Sequence, residues 1–153
     1  MNSKTTQGGF TLIELVVVIT ILGILAAFAV PRFAGLEIQA RTAAVQSLAG
    51  SVRSGAALSH ALWLAQGNPA SASVTMEGQP VALVNGYPAA TALGIQVALT
   101  DITGFAPAVA GGNFTFTKQS TATPPVAIPA CLVTYQPAAA AGAPQVTANT
   151  AGC

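Results

Sequence analysis

The sequence predicts an α+β protein: one long N-terminal α-helix, transmembrane in its front half and amphipathic in its back half, packed on a small antiparallel β-sheet. Three observations predict it. Residues 10–30 are apolar except for Thr11, Glu14 and Thr20; from Phe33 onward apolar residues recur at spacings of three and four; and most of the 15 glycines and 10 prolines fall after residue 66. At 153 residues the chain has room for one folded unit and an attached helix, not for a second large domain. It is 52% hydrophobic and 6% charged, where soluble domains carry about 25% charged residues.

The front of the helix is read from length and polarity. Residues 10–30 make roughly 31 Å of helix, about the thickness of a bilayer's hydrocarbon core. A cleaved secretory signal would have a shorter apolar region and a small-residue cleavage site. This run is followed by Pro31, Arg32 and Phe33, so the apolar segment is expected to stay on the protein. Glu14 is the anomaly. An ionised carboxylate within an apolar helix costs at least about 2.5–3.5 kcal/mol without a partner, and no basic residue lies within two helical turns of it. Cleavage after Gly9 would create an α-amino group on Phe10, one turn before Glu14, able to pair with that carboxylate or with the one on a neighbouring copy. Lys4 and the initial amine place the leader on the cytoplasmic side by a small margin over Arg32.

The back of the helix is read from periodicity. Phe33, Leu36, Ala40, Ala44, Leu48, Val52, Ala56 and Ser59, followed by Leu62 and Trp63, form an amphipathic stripe that packs on something. Pro31 suggests a kink or loosened segment, with Gly23 a second weak point. Gln66-Gly67-Asn68-Pro69 is expected to end the helix. Beyond it, strands are expected around Val74 and Met76, over 81–84, over 113–118 and over 131–135. Turns are expected at Glu77-Gly78, Asn85-Gly86 and Gly111-Gly112-Asn113. Residues 89–102 are consistent with a short helix, because Leu93, Val97 and Asp101 recur at fours.

Several functions are disfavoured. The net charge is +1, and Lys4, Arg32, Arg41, Arg53 and Lys118 are scattered, which is no footprint for nucleic acid. His60, the single histidine, is expected to be a surface or packing residue near Trp63. Glu77 and Asp101 are the two acids of the head, too few for a calcium cluster. No phosphate loop is present, since Gly111-Gly112 lacks a lysine at the required spacing. The expectation is a protein with no enzyme activity, no cofactor and no metal.

The stretch Gly8-Gly9-Phe10-Thr11-Leu12-Ile13-Glu14-Leu15, followed by an apolar run to Pro31, resembles the N-terminal signature of type IV prepilins and related pseudopilins. The resemblance implies that residues 1–9 are a leader removed by a prepilin peptidase between Gly9 and Phe10. The same enzyme would then methylate the Phe10 amine, and Glu14 would neutralise the amine of an adjacent subunit during assembly. It implies a division into leader 1–9, transmembrane and filament-core helix 10–30, amphipathic helix 31–66 and globular head 67–153. The implied partners are other copies in a helical homopolymer, membrane lipid before assembly, the peptidase and methyltransferase and, indirectly, the inner-membrane assembly platform with its motor ATPases. The implied location is the inner membrane first and a surface filament afterwards. A C-terminal disulfide-bounded loop is typical of type IVa-like pilins. A Cys131–Cys153 bond would close such a loop at 131–153, stabilising the head by about 3 kcal/mol, in a compartment that permits it. Within that loop Pro137-Ala138-Ala139-Ala140-Ala141-Gly142-Ala143-Pro144 is expected to be a flexible tail held by the bond. Val74-Thr75-Met76-Glu77-Gly78 and Asn85-Gly86-Tyr87-Pro88 look like the head of mannose-sensitive haemagglutinin type pilins. Two alternatives stand beside a pilus subunit for adhesion or motility. One is a pseudopilin of type II secretion, whose family typically binds calcium in an acidic loop and lacks this disulfide. The other is a monomeric binding module anchored by one uncleaved helix.

Overall fold

The computed structural model describes residues 9–68, 72–140 and 142–153, and of residues 33 and 34 the backbone alone. Lys4, Gly8, Pro69 and Ala141 lie outside the described residues, as does the Phe33 side chain of the stripe. The element order is α1 (Leu12–Ala65), β1 (Ser73–Met76), β2 (Gln79–Val84), β3 (Tyr87–Pro88), β4 (Phe105–Ala110), β5 (Asn113–Gln119), β6 (Ala127–Gln136) and β7 (Gln145–Asn149). The fold class is α+β, as the sequence predicts. By its contacts the chain divides into two units, one ending at Ile38 and one running Gln39–Cys153.

In the first unit, every side chain from Phe10 to Phe28 is exposed, and the helix is long and apolar enough to cross a membrane. Thr20 meets the cost of its hydroxyl by donating to the Val17 carbonyl at 2.8 Å, so this polar group needs no partner outside its own helix. Pro31 lies inside α1, and the helix continues through it.

In the second unit, Val45, Leu48, Ala49, Val52, Ala56 and Ser59 of α1 are buried, at the helical spacing that the stripe requires. The stripe is therefore as predicted from Leu48 onward and is joined by Val45 and Ala49. Leu36 and Ala40, expected on it, are exposed. Ser59 donates its hydroxyl to the Gly55 carbonyl at 2.8 Å, which satisfies a buried polar group within the helix. The helix ends where the sequence places the stop: Gly67 has φ 79°, and Asn68 N–H reaches back to the Trp63 carbonyl at 3.2 Å, closing the last turn.

Two antiparallel sheets replace the expected single one: β1-β2-β3 and β4-β5-β6-β7. In the larger sheet alternate residues face α1. Phe114 and Phe116 of β5, and Cys131, Val133 and Tyr135 of β6, are buried in one cluster with Val45, Leu48, Ala49, Val52 and Ala56. Phe114 lies opposite Tyr135 and Phe116 opposite Val133, so large side chains occupy the layer between sheet and helix. Val74, Val81 and Leu83 of the smaller sheet form a second cluster against Leu62 and Trp63. The Asn85-Gly86 turn takes positive φ at both residues, the geometry a two-residue hairpin prefers, and the Trp63 ring packs directly on Gly86.

Three strands lay outside the sequence prediction. β3 is two residues long, β4 has Pro107 at its centre, and β7 lies in a stretch of small and polar residues with only Val146 half-buried. Each exists because a neighbouring strand pairs with it. Residues 89–102 hold one irregular helical turn at Ala92–Gln96, not a regular helix. Gly94 has non-helical dihedrals there (φ −102°, ψ −106°), and a side chain at this position would collide with the carbonyl of Ala89, which already accepts from Thr91 and Ile95 N–H.

Tyr135 ties the two sheets together by donating its hydroxyl to the Pro88 carbonyl at 2.7 Å. Burial, with a smaller contribution from Tyr87, pushes that phenol above its ordinary range, so it stays a donor at any physiological pH. Tyr135→Phe leaves the Pro88 carbonyl without this partner. It is expected to lower stability by about 1–3 kcal/mol, measured by denaturant unfolding of the disulfide-intact chain.

Candidate functional site

The first site is the start of α1. Gly9 and Phe10 precede the helix in irregular backbone and are exposed, Phe10 at 94%, and among the described residues no atom outside the immediate neighbours lies within 4 Å of where a Gly9 side chain would begin. The Gly9–Phe10 peptide bond therefore lies outside the hydrogen-bonded helix, which begins at Leu12.

Thr11 and Glu14 form a reciprocal cap. Glu14 N–H donates to Thr11 Oγ1 at 3.3 Å, while Glu14 Oε2 accepts the Thr11 N–H at 2.9 Å and the Thr11 hydroxyl at 2.7 Å. The first helical bond runs from Leu15 N–H to the Thr11 carbonyl at 3.3 Å. Thr11 is therefore the N-cap and Glu14 the third helical residue, the T-x-x-E arrangement that satisfies two otherwise orphaned donors. The sequence reading looked for a basic partner for Glu14 and found one only in the Phe10 amine that cleavage would create; the uncut chain shows a further partner in Thr11. Glu14 sits in the first turn, at the positive end of the helix dipole, with a partner three residues away. The signal was present in the sequence as Thr11-Leu12-Ile13-Glu14; looking only for a basic partner missed it. Phe10, Ile13, Glu14, Val17 and Val18 line one shallow surface of the helix, so the carboxylate opens onto an apolar face.

The second site is the segment bounded by Cys131 and Cys153, which are joined in a disulfide and both buried. Residues 137–140 and 142–144, expected to form no packed element, carry no strand or helix, while the chain on either side of them is held. β7, inside the loop, pairs with β6 from Gln136↔Gln145 to Leu132↔Asn149. Two arginines of α1 also clamp the segment: Arg41 Nη1 donates to the Cys153 main-chain oxygen at 3.2 Å and Arg53 Nη2 to the Val146 carbonyl at 3.0 Å. Asn85 Nδ2 donates to the Ala138 carbonyl at 2.9 Å, and Ala138 is buried. Composition alone suggested a loose loop; side chains distant in sequence hold it.

His60 is a packing residue, as the sequence suggests. Its ring stacks on Tyr87 at 4.0 Å and lies 5.6 Å from Trp63, with Nδ1 at 2.9 Å from the Gly86 carbonyl. Beside it is a mostly apolar groove of about 320 Å³ walled by Arg53, Leu64, Pro144 and Val146. Asp101 accepts the Thr103 N–H at 2.7 Å, and hydrogen bonds from Thr103 hold its carboxyl below the usual carboxylate range.

The chain thus joins a helix with an exposed apolar front and a capped acid in its first turn to an antiparallel, disulfide-closed head. Residues 4–30 match the family model described as the prokaryotic N-terminal methylation motif. Over 50 residues the chain is 58% identical to the type IV narrow pilus major component PilA5 of Thermus thermophilus, covering 33% of this chain and 43% of that protein. Over 97 residues it is 36% identical to the type IV major fimbrial protein FimA of Dichelobacter nodosus, covering 60% of each. The matched regions thus span less than two thirds of these relatives' length. No solved structure matches. The chain carries the N-terminal methylation motif of prokaryotic pilins and is related to type IV major pilins.

If the cap orders the first turn, Thr11→Ala should destabilise it by about 1 kcal/mol while Thr11→Ser preserves it. Amide hydrogen exchange across residues 12–16 in detergent reads the difference; equal protection in both variants would contradict the cap.

Proposed function

We propose that the chain is the structural subunit of a type IV pilus. Residues 1–9 are a leader cut between Gly9 and Phe10 by a prepilin peptidase, which also methylates the new amine. Residues 10–30 hold the subunit in the inner membrane and then form the filament core, residues 31–66 continue the helix, and residues 67–153 are the surface-exposed head. The observation that carries this reading is the methylation motif over residues 4–30, together with the accessible Gly9–Phe10 bond ahead of the Thr11–Glu14 cap. Relatives named as major components of type IV pili and fimbriae support the same role. The subunit is a substrate of its processing enzyme and has no enzyme activity of its own. Its partners are other copies and, through assembly, the inner-membrane platform and its motors. The fibre serves adhesion or motility.

Glu14 uses Oε2 in the cap, which leaves Oε1 to receive the ammonium of a neighbouring Phe10. In this reading the cap holds the acid oriented for the incoming subunit, and the apolar face beside it supplies the dry surroundings that strengthen the pair. A pseudopilin is the second reading. The disulfide favours the pilus, and so does Asp101, whose carboxylate is engaged in its own turn. The hairpins at Glu77-Gly78 and Asn85-Gly86 are the residues on which a mannose-sensitive haemagglutinin type head rests.

Mass spectrometry of the mature N-terminus is expected to find Phe10 carrying one methyl group; a retained leader in surface material overturns the proposal. Glu14→Val should insert in the membrane at normal levels yet give at least about a tenfold loss of sheared filaments. Electron microscopy of those fractions separates pilus from pseudopilus, since a pilus requires long filaments made of this chain.

A further inference from the structure

The larger sheet has two edge strands, β4 and β7, and β4 has the composition of a hazard. Phe105-Ala106-Pro107-Ala108-Val109-Ala110 carries no charge. Its residues 107–110 are exposed, Val109 at 61%. An uncharged, apolar, exposed edge is a template for pairing with another copy of itself.

The hydrogen-bond register decides what that edge offers. Gly111-Gly112 is a two-residue loop with positive φ at both glycines, which closes on a hydrogen-bonded pair, Ala110↔Asn113. At the far end Gln119 N–H donates to the Gly104 carbonyl at 2.9 Å, so that pair is hydrogen-bonded too. Alternation between these two fixed points turns the main-chain groups of Ala106 and Ala108 toward β5 and those of Phe105, Pro107 and Val109 away from it. The Phe105 N–H is taken by the Ile102 carbonyl at 3.0 Å, and Pro107 has no N–H. Of the three outward positions only Val109 keeps a donor.

Pro107 therefore stands at the one kind of position where proline costs the sheet nothing and denies a partner the most. Lys118, opposite Phe105 on β5, adds a charge at the same end, its ammonium 4.9 Å above the Phe105 ring and donating to the Gly104 carbonyl at 3.1 Å. The same alternation carried through β5 and β6 turns Val146 and Ala148 of β7 outward, and the Val146 carbonyl is occupied by Arg53. We infer that Pro107 closes the β4 edge to strand addition by a second copy of this chain. Heads can then be brought to high local density without joining by sheet extension, and the inference holds whatever the assembled state of the chain.

The test uses the full chain in detergent micelles with the disulfide intact. Pro107→Val restores the outward N–H on a strand-favouring side chain. It should keep the thermal transition of the wild type, followed by circular dichroism, and associate into thioflavin-positive aggregates roughly tenfold faster. The double variant P107V/V109K, which puts a charge on the reopened edge, should return to the wild-type rate. Pro107→Ala, the smallest change that restores the N–H, should also accelerate association and decides the matter if P107V disturbs the fold. Folded P107V or P107A that associates no faster than wild type overturns the inference. So does P107V/V109K associating as fast as P107V, which would place the contact elsewhere. Loss of folding in both single variants overturns it as well, because an N–H directed to solvent removes no ladder bond.

Discussion

An α-helix that is apolar on every side over its first five turns cannot remain in water alone, and the rest of this protein follows from that constraint. Burying a side chain such as Leu or Ile is worth about 1.5–3 kcal/mol, and residues 10–30 contain many of them, all but Ala29 exposed in the single chain. Some apolar surroundings must take them, and in the proposed function these are lipid first and then the same residues of other copies in the filament. The two remaining polar side chains near the start, Thr11 and Glu14, are affordable there because they satisfy one another at the helix end. A mid-helix acid would have no such recourse.

The same constraint shapes the head. With so few charges available, the head relies on packing and on main-chain acceptors. Its arginines spend their donors on carbonyls of the last segment, Arg41 on Cys153 and Arg53 on Val146, and Asn85 does likewise for Ala138. The disulfide is one of several ties, and it sits in the main core beside Phe116 and Val133. Tyr135 joins the two sheets from that core. Where such a head exposes an apolar edge, a proline supplies the protection that charge provides in more polar proteins.

How much of this was legible depends on whether the signal is local. The stem, the helix stop at Gly67, the alternating Phe114 and Phe116, and the turns at Asn85-Gly86 and Gly111-Gly112 are each written in a few neighbouring residues, and each was read correctly. The N-terminal methylation motif over residues 4–30 is local in the same way, though the Thr11 cap within it went unread. β4 and β7 were missed because proline at 107 and small residues around 146 carry no strand preference. β5 and β6 supply the pairing that makes them strands. The ties on the 131–153 loop went unread because nothing inside it predicts Arg41, Arg53 and Asn85 as its holders.

The sequence by itself determined the long helix, its apolar front, the processing signature and the α+β class, since periodicity and polarity act over one or two turns of chain. The tertiary structure alone decided that the β strands form two sheets, that the last segment is clamped, and that β4 presents Pro107 outward. Those depend on register and on contacts between residues far apart in sequence, which cooperative packing fixes and local preference does not.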